Sequence, residues 1–323
     1  MTSALVDWYA KNGRPLPWRK TKDPYLVLVS ETMLQQTTVA SSLPYYERWV
    51  ERFPDVGSLA SADIDEALVY WAGLGYYSRC HRLHEIAKLA TFAGWPKGEG
   101  WQSLNGIGPY TAAAMASICD GLPFAAVDGN VERVYARVCA DPESGSRLKS
   151  AAKRWSEANM PKDTPGEWNQ AVMELGATIC RPRGPKCLEC PIQGHCQAFR
   201  DSSQGRLPTP KPKPARIDID MSIHIRVHKM HFGLIKLESN WWKGLWGFPI
   251  VEQLDTGPAA RLSGSFSHVV TRHRIKFTVW LEALESCSPE FVWVHPIELH
   301  KYALPAPFTR AAKLAETKLL ETV

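Results

Sequence analysis

The spacing of apolar residues changes character near residue 200, and that change restricts the fold more than any single motif. Up to that point apolar side chains recur at helical intervals in Ser3 to Tyr9, Asp23 to Thr37, Leu43 to Phe53, Ile64 to Leu74, Cys80 to Phe92, Gly108 to Cys119, Gly129 to Cys139, Leu148 to Asn159 and Glu167 to Thr178. Short connections rich in Gly and Pro separate these stretches, and no strand-like alternation interrupts them. The pattern predicts an all-helical unit over residues 1–200. Residues 201–215, DSSQGRLPTPKPKPA, carry four prolines and two lysines with no apolar period, the composition of a semi-rigid linker. Beyond it IDIDMSIHIRVHK, HFGLIKLE and RIKFTVWLEAL alternate apolar with polar residues as strands do, and Arg310 to Leu320 returns to a helical period. A compact α+β domain over residues 216–323 follows from that order.

Some helix starts are marked locally. Asp23 precedes Pro24, and Asp63 stands three positions before Glu66, the spacing of a capping box. The 323 residues suffice for two or three modest cores. A net charge of +5 and a pI near 8.7 favour a polyanionic partner only weakly. The first twenty residues place acidic and aromatic side chains where a secretory signal needs an apolar run, and no stretch reaches the length of a membrane span, so the expected compartment is the cytoplasm.

Disulfides are uncommon there, and the eight cysteines need another account. Cys80, Cys119, Cys139 and Cys287 are scattered and read as free thiols. Cys180, Cys187, Cys190 and Cys196 fall together in CRPRGPKCLECPIQGHC, an order that suits convergence on one metal centre. Zinc and an iron–sulfur cluster are both satisfied by four thiolates. Arg181, Arg183 and Lys186 in the same loop would then be set to meet phosphates.

Residues 104–111, LNGIGPYT, join two helical stretches through Gly106 and Gly108, with Pro109 suited to the first turn of the next helix. Free N–H groups at that helix start can grip a phosphate without reading a base, although a plain glycine-rich connection also explains the pattern. Two carboxyls complete the set. Glu31 lies within YLVLVSETML, and Asp128 lies in VDGN directly ahead of VERVYARV, where it suits a helix cap. Acid-assisted bond cleavage needs a proton donor for the leaving group and a fixed negative charge against developing positive charge. A desolvated carboxyl and a carboxylate facing helix N–H groups supply those two functions.

RPLPWR, SETMLQQT, GLGYYSR, GIGPYTAAA, VDGNVERV, NQAVMELGATIC and the cysteine loop together resemble the MutY-type adenine glycosylases of the endonuclease III superfamily, the helix-hairpin-helix DNA glycosylases. The resemblance is strongest across residues 14–196. It implies a helical barrel over residues 22–125 with the hairpin at 104–111, and a second helical subdomain from residues 1–21 and 126–200. It also implies a cluster loop at 180–196, and a Nudix-like lesion-recognition domain after the linker. One [4Fe-4S] cluster on Cys180, Cys187, Cys190 and Cys196 is implied, with no catalytic metal.

By the same resemblance Glu31 is the acid that protonates adenine N7 and helps position water. Asp128 supports an oxocarbenium-like sugar, Asn130 is its supporting amide, and Tyr110 lies against the reacting sugar. Bifunctional relatives carry a lysine at the Tyr110 position, whose amine forms a Schiff base; a phenol cannot, so strand cleavage by that route is not expected. Gly106 and Gly108 shape the phosphate-binding turn, with Asn105 departing from the family's proline. Leu34, Gln35, Gln36 and Tyr76 fill the gap left by the flipped base and meet the base opposite. Arg14, Trp18, Arg19 and Glu174 line the adenine pocket. The implied partner is duplex DNA with adenine mispaired with 8-oxoguanine or guanine, bound by a monomer associated with the nucleoid and not with a membrane.

The family reads oxidised guanine with a Phe-Ser-His loop, and FSH occurs at Phe266, Ser267 and His268. Register favours a neighbouring triplet. Counting back from Val279 and Trp280 puts the reading positions on Val270, Thr271 and Arg272, with His268 just upstream. Three rival functions are weaker. An endonuclease III-like lyase is disfavoured by Tyr110, and a non-catalytic DNA sensor by the presence of both Glu31 and Asp128. A Nudix hydrolase needs an acidic magnesium-binding helix, and PIVEQLDTGPAARLSGS between Phe248 and Phe266 is too short and too poor in acids.

Overall fold

Side-chain caps mark where helices begin in the computed structural model, which describes residues 1–210, 214–239, 241–251 and 260–320. Asp23 accepts from Leu26 N at 3.0 Å with Pro24 in the first turn, as its sequence predicts. The box expected at Asp63 does not form. Asp63 accepts from Asp65 N at 2.7 Å, and Glu66 pairs with Arg52 at 2.5 Å. A box does form where Asp55 and Ser58 exchange hydrogen bonds, on a helix of six residues that is too short to show an apolar period.

The nine stretches with helical spacing are all helices, with ends shifted by a few residues: α1 (Thr2–Asn12), α2 (Pro24–Leu34), α3 (Val39–Arg52), then α5 (Ile64–Trp71), α6 (Ser78–Ala93), α7 (Pro109–Ile118), α8 (Gly129–Val138), α9 (Gly145–Asn159) and α10 (Pro165–Thr178). The boxed helix Val56–Ser61 is α4, and Gln197–Arg200 forms α11. The strands are β1 (Ile217–His228), β2 (His231–Lys236), β3 (Trp246–Gly247), β4 (Ile250–Val251), β5 (Arg261–Val270), β6 (His273–Ala283) and β7 (Val292–Val294), followed by α12 (Ala306–Leu320). Among the described residues no helix is long and apolar enough to cross a membrane.

These elements form two compact units. The first comprises Met1–Gln36 with Ile86–Pro212. In it α10 packs on α1, α7 and α8, and Leu5, Val131, Val134, Trp168, Val172 and Leu175 are buried together. The Trp168 indole, fully enclosed, donates to Ser156 Oγ at 2.9 Å, so its polar edge is satisfied.

The second unit comprises Thr37–Glu85 with Lys213–Val323. Its sheet runs β3-β2-β1-β6-β5, with β4 paired to β1 and β7 to β2. β1 and β6 are parallel, and the other pairs are antiparallel. Ile275, Phe277 and Val279 alternate inward along β6, and α12 buries Phe308, Ala311, Ala312 and Ala315. Lys236 of β2 ion-pairs with Asp65 of α5 at 2.5 Å and lies 4.5 Å from the Trp246 ring centre.

Two expectations about fold class are corrected. The C-terminal strands make a mixed β-sheet with one long helix, which is as far as the structure goes toward a Nudix-like domain. Residues 252–259, within the connection read as too poor in acids for a magnesium helix, lie outside the described residues. The other correction concerns the cysteine loop. Among the described residues no group of three or more His, Cys, Asp or Glu side chains is arranged to hold a metal ion, so the [4Fe-4S] cluster and the iron–sulfur loop are not borne out. Cys180, Cys187, Cys190 and Cys196 line one small cavity, where two of the thiols have partners. Cys180 Sγ accepts from Arg137 Nη1 at 3.3 Å, and Cys196 Sγ donates to the Arg137 carbonyl at 3.3 Å. Burial raises Cys187 and Cys196 above the ordinary thiol range and Cys190 to about 11.

Candidate active site

Helix α2 is buried on nearly every side, from Val27 through Met33 without a break. A polar residue placed in such a helix has no route to water. Glu31 is therefore 8% exposed rather than solvated. Burial pushes its carboxyl up to about 7; the Tyr110 hydrogen bond and Arg19 oppose that rise, and the nearby Asp128 charge adds to it. A carboxyl so placed is divided between its acid and ionised forms at neutral pH.

Tyr110, in the first turn of α7, meets Glu31 and lies 3.2 Å from the Met173 sulfur. The phenol has one proton for two neighbours. With Glu31 protonated, the carboxyl can donate to the phenol oxygen while the phenol donates on to sulfur. With Glu31 ionised, the phenol donates back to it. Both protonation states are thus accommodated without an unsatisfied buried group. Burial, with the Glu31 and Asp128 charges, raises the phenol well above its ordinary pKa, so it stays neutral.

Asp128 caps α8, as its sequence position suggests. Its Oδ1 accepts from Asn130 N and Val131 N, both at 2.9 Å, and its Oδ2 accepts from Asn130 Nδ2 at 2.6 Å. Three N–H donors at a helix start surround one carboxylate. The Asn130 amide cannot flip freely, because Arg133 Nη2 donates to its Oδ1 at 2.8 Å. Arg133 and Met173 were not legible as site residues. The signal for Arg133 is its place one helical turn after Asn130.

The remaining predicted positions divide between the two units. In the first, Glu174 is enclosed and accepts from Arg14 Nε, Arg14 Nη2 and Arg19 Nη2, each at 2.7 Å. Burial would raise its carboxyl, but these two guanidinium groups outweigh that and hold it down to about 2. Trp18 is buried at 7% exposure on the adjoining turn. Leu34 ends α2, Gln35 donates to Thr111 Oγ1 at 3.3 Å, and Gln36 adopts φ +60. At the hairpin, Gly106 has φ +87, which L side chains avoid. Gly108 is different. Its backbone is extended and a Cβ there would meet nothing within 4 Å, so neither conformation nor packing within the chain calls for glycine.

In the second unit Tyr76 is 42% exposed with φ +49. The buried Arg79 guanidinium lies 5.3 Å from its ring centre and donates to the Gly75 carbonyl at 3.1 Å, a support that sequence reasoning missed. Val270 pairs with His273, which leaves Thr271 and Arg272 as the exposed tip of the β5–β6 hairpin. Thr271 has φ +53 and donates to the Val270 carbonyl at 2.7 Å. The literal FSH lies within the strand: Phe266 is buried against Phe277, Ser267 pairs with Lys276, and His268 is half-buried.

The first unit is helical, with a glycine hairpin and a buried Glu31 near Asp128, the cap of α8, and comparison with known proteins gives its class as base-excision DNA repair. Residues 29–159 match the HhH-GPD superfamily of base excision DNA repair proteins. The adenine DNA glycosylase of Rattus norvegicus is 42% identical over 218 residues, 63% of this chain and 42% of its own length. That of Buchnera aphidicola subsp. Schizaphis graminum is 34% identical over 253 residues, 76% of this chain and 73% of its own. Among solved structures, a thermostable thymine-DNA glycosylase shares 26% identity at a TM-score of 0.57, covering 62% of this chain and 95% of that one. An endonuclease III in a non-covalent DNA complex, at 19% identity and a TM-score of 0.51 over 62% of this chain and 94% of that one, shares the fold. The chain belongs to the MutY-like adenine DNA glycosylase family of the HhH-GPD superfamily. It spans about two fifths of the length of the mammalian relatives it matches.

Proposed function

We propose that the chain is a monofunctional adenine DNA glycosylase of base excision repair. It hydrolyses the N-glycosidic bond of adenine mispaired with 8-oxoguanine or guanine. The observation that carries this is Glu31: a carboxyl enclosed in an apolar helix, with its pKa lifted to about 7, beside Asp128. Glu31 gives its proton to adenine N7, the C1′–N9 bond breaks with its electron pair leaving on the base, and positive charge develops on the sugar. Asp128, held in place by Asn130, stabilises that charge. Water adds at C1′ and its proton returns to Glu31. Tyr110 stands where a Schiff-base lysine would be needed, so no covalent imine forms.

Residues 1–200 act as the glycosylase unit and residues 216–323 as the lesion-recognition domain, joined by residues 201–215. Gly106 and Gly108 admit a backbone phosphate. Arg14, Trp18, Arg19 and Glu174 line the pocket for the flipped adenine. Leu34, Gln35, Gln36 and Tyr76 occupy the opened step, and His268, Thr271 and Arg272 read the base opposite. The protein works as a monomer on nucleoid DNA in the cytoplasm.

The test is incubation of the purified chain with duplexes carrying adenine opposite 8-oxoguanine, guanine or thymine. Free adenine and an unbroken abasic strand are expected, fastest opposite 8-oxoguanine, with no adduct on borohydride reduction. Absence of adenine release overturns the activity, and efficient trapping overturns its monofunctional form.

A further inference from the structure

The first unit holds a cleft of about 590 Å³ that reaches Tyr110 and whose α9 wall none of the steps above uses. It runs beside Pro109 and Tyr110 at the start of α7, between the turn at Gly98–Ser103 and helix α9. The α9 wall presents Lys149, Ser150 and Lys153, all exposed. Residues four apart lie on one face of a helix, about 6 Å apart along its axis. Two cations of α9 have ion pairs, and one of them belongs to this wall. Arg147 reaches Glu143 at 3.7 Å, and Lys153 reaches Glu157 at 3.6 Å, an exposed pair that is easily exchanged for another anion. One carboxylate, Glu99, lies on the opposite wall.

Two ammonium groups and a hydroxyl along an open cleft suit an extended anion with regularly spaced charges. An ammonium is a compact point charge with no fixed direction, so it contacts phosphate without reading a base edge. We propose that this wall binds the DNA backbone, with Lys149 and Lys153 each neutralising a phosphate and Ser150 donating a hydroxyl hydrogen bond. The contact is separate from the N–H groups of the hairpin. It extends the DNA-bound footprint along α9, and it rests on the reading of the chain as a DNA glycosylase. Glu99 faces the same cleft and opposes the anion.

The experiment is DNA affinity of the full chain across a range of salt concentrations, with matched and mismatched duplexes. Each phosphate neutralised releases counterions, so the slope of log K against log salt reports the number of such contacts. Lys149→Ala with Lys153→Ala should lower that slope by about 2 and weaken matched and mismatched duplexes by the same factor. Glu99→Gln should tighten both. Arg154→Ala, on α9 but outside the cleft lining, serves as the control and should keep the parental slope. A double variant with the parental slope, a loss confined to the mismatched duplex, or an equal loss in the Arg154 control would overturn the inference. A parent chain that shows no salt-dependent DNA binding would instead overturn the DNA reading itself.

Discussion

A Cβ placed on Gly176 would lie 2.6 Å from the Cβ of Asn130. Helix α10 thus meets the start of α8 with no room for a side chain. The Gly176 carbonyl accepts from Arg133 Nη2 at 2.8 Å, the same nitrogen that donates to Asn130 Oδ1. The amide that faces Asp128 is therefore set from two sides.

Gly176→Ala must separate the helices or push Asn130 away from Asp128. Overpacking of this kind costs about 1–3 kcal/mol. Adenine release in a single turnover should fall by roughly tenfold, the equivalent of about 1.4 kcal/mol of lost transition-state stabilisation. Thermal unfolding and rapid-quench kinetics, measured where the variant is fully folded, check both. A parental rate would show that the Asn130 position does not matter to the reaction.

Glu31 makes stability depend on pH in a definite direction. Its folded pKa of about 7 stands above the ordinary 4.5, so the folded chain keeps a proton that the unfolded chain loses. Stability from this group declines as pH rises between those values and is flat above them. Glu31→Gln removes that penalty. The variant should gain on the order of 3 kcal/mol over the parent at pH 8 and little at pH 5, read from urea midpoints. An equal difference at both pH values would show an ordinary carboxyl.

Glu174 has the opposite sign. Its pKa, held down to about 2, contributes stability above the ordinary carboxylate range that is lost as pH falls toward 2. Glu174→Gln leaves Arg14 and Arg19 facing a neutral amide. Breaking a buried pair costs several kcal/mol, but the Arg14 side chain is 37% exposed, which reduces the figure to about 2–3 kcal/mol. Denaturant unfolding at pH 7 measures it, and a loss under 1 kcal/mol would show that solvent already screens the group.

Thr271 separates stability from recognition. A β-branched residue at φ +53 is strained, so Thr271→Gly should leave stability unchanged or raise it by up to about 1 kcal/mol. The same change removes the hydroxyl and should weaken the preference for 8-oxoguanine over guanine opposite adenine by roughly 1–3 kcal/mol. If discrimination survives in this variant and is lost in Ser267→Ala, the literal FSH triplet is the reader.

The helices and the strand domain were legible because apolar period is a local property. Helix α4 escaped because six residues make less than two turns. Asp128 could be placed as a helix cap from its neighbours alone. The burial of Glu31 was less evident, because a glutamate two residues after YLVLV looks equally suited to a solvated face until the packing on every side of α2 is known. Arg133, Met173 and Arg79 act through contacts with side chains or turns whose positions only the fold supplies. The cysteine loop misled in the other direction. Four thiols close in sequence suggested a ligand set, yet among the described residues no group of three or more His, Cys, Asp or Glu is arranged to hold a metal ion.

Whether Glu31 is the acid is tested most directly by single-turnover adenine release from an 8-oxoguanine:adenine duplex, for the parent and for Glu31→Gln, between pH 5.5 and 9. The parental rate should fall about tenfold per pH unit above about 7, as the buried carboxyl loses its proton. Glu31→Gln should bind the duplex and release almost no adenine at any pH, since an amide has no proton to give to N7. A Glu31→Gln variant that releases adenine at near-parental rates would contradict the account.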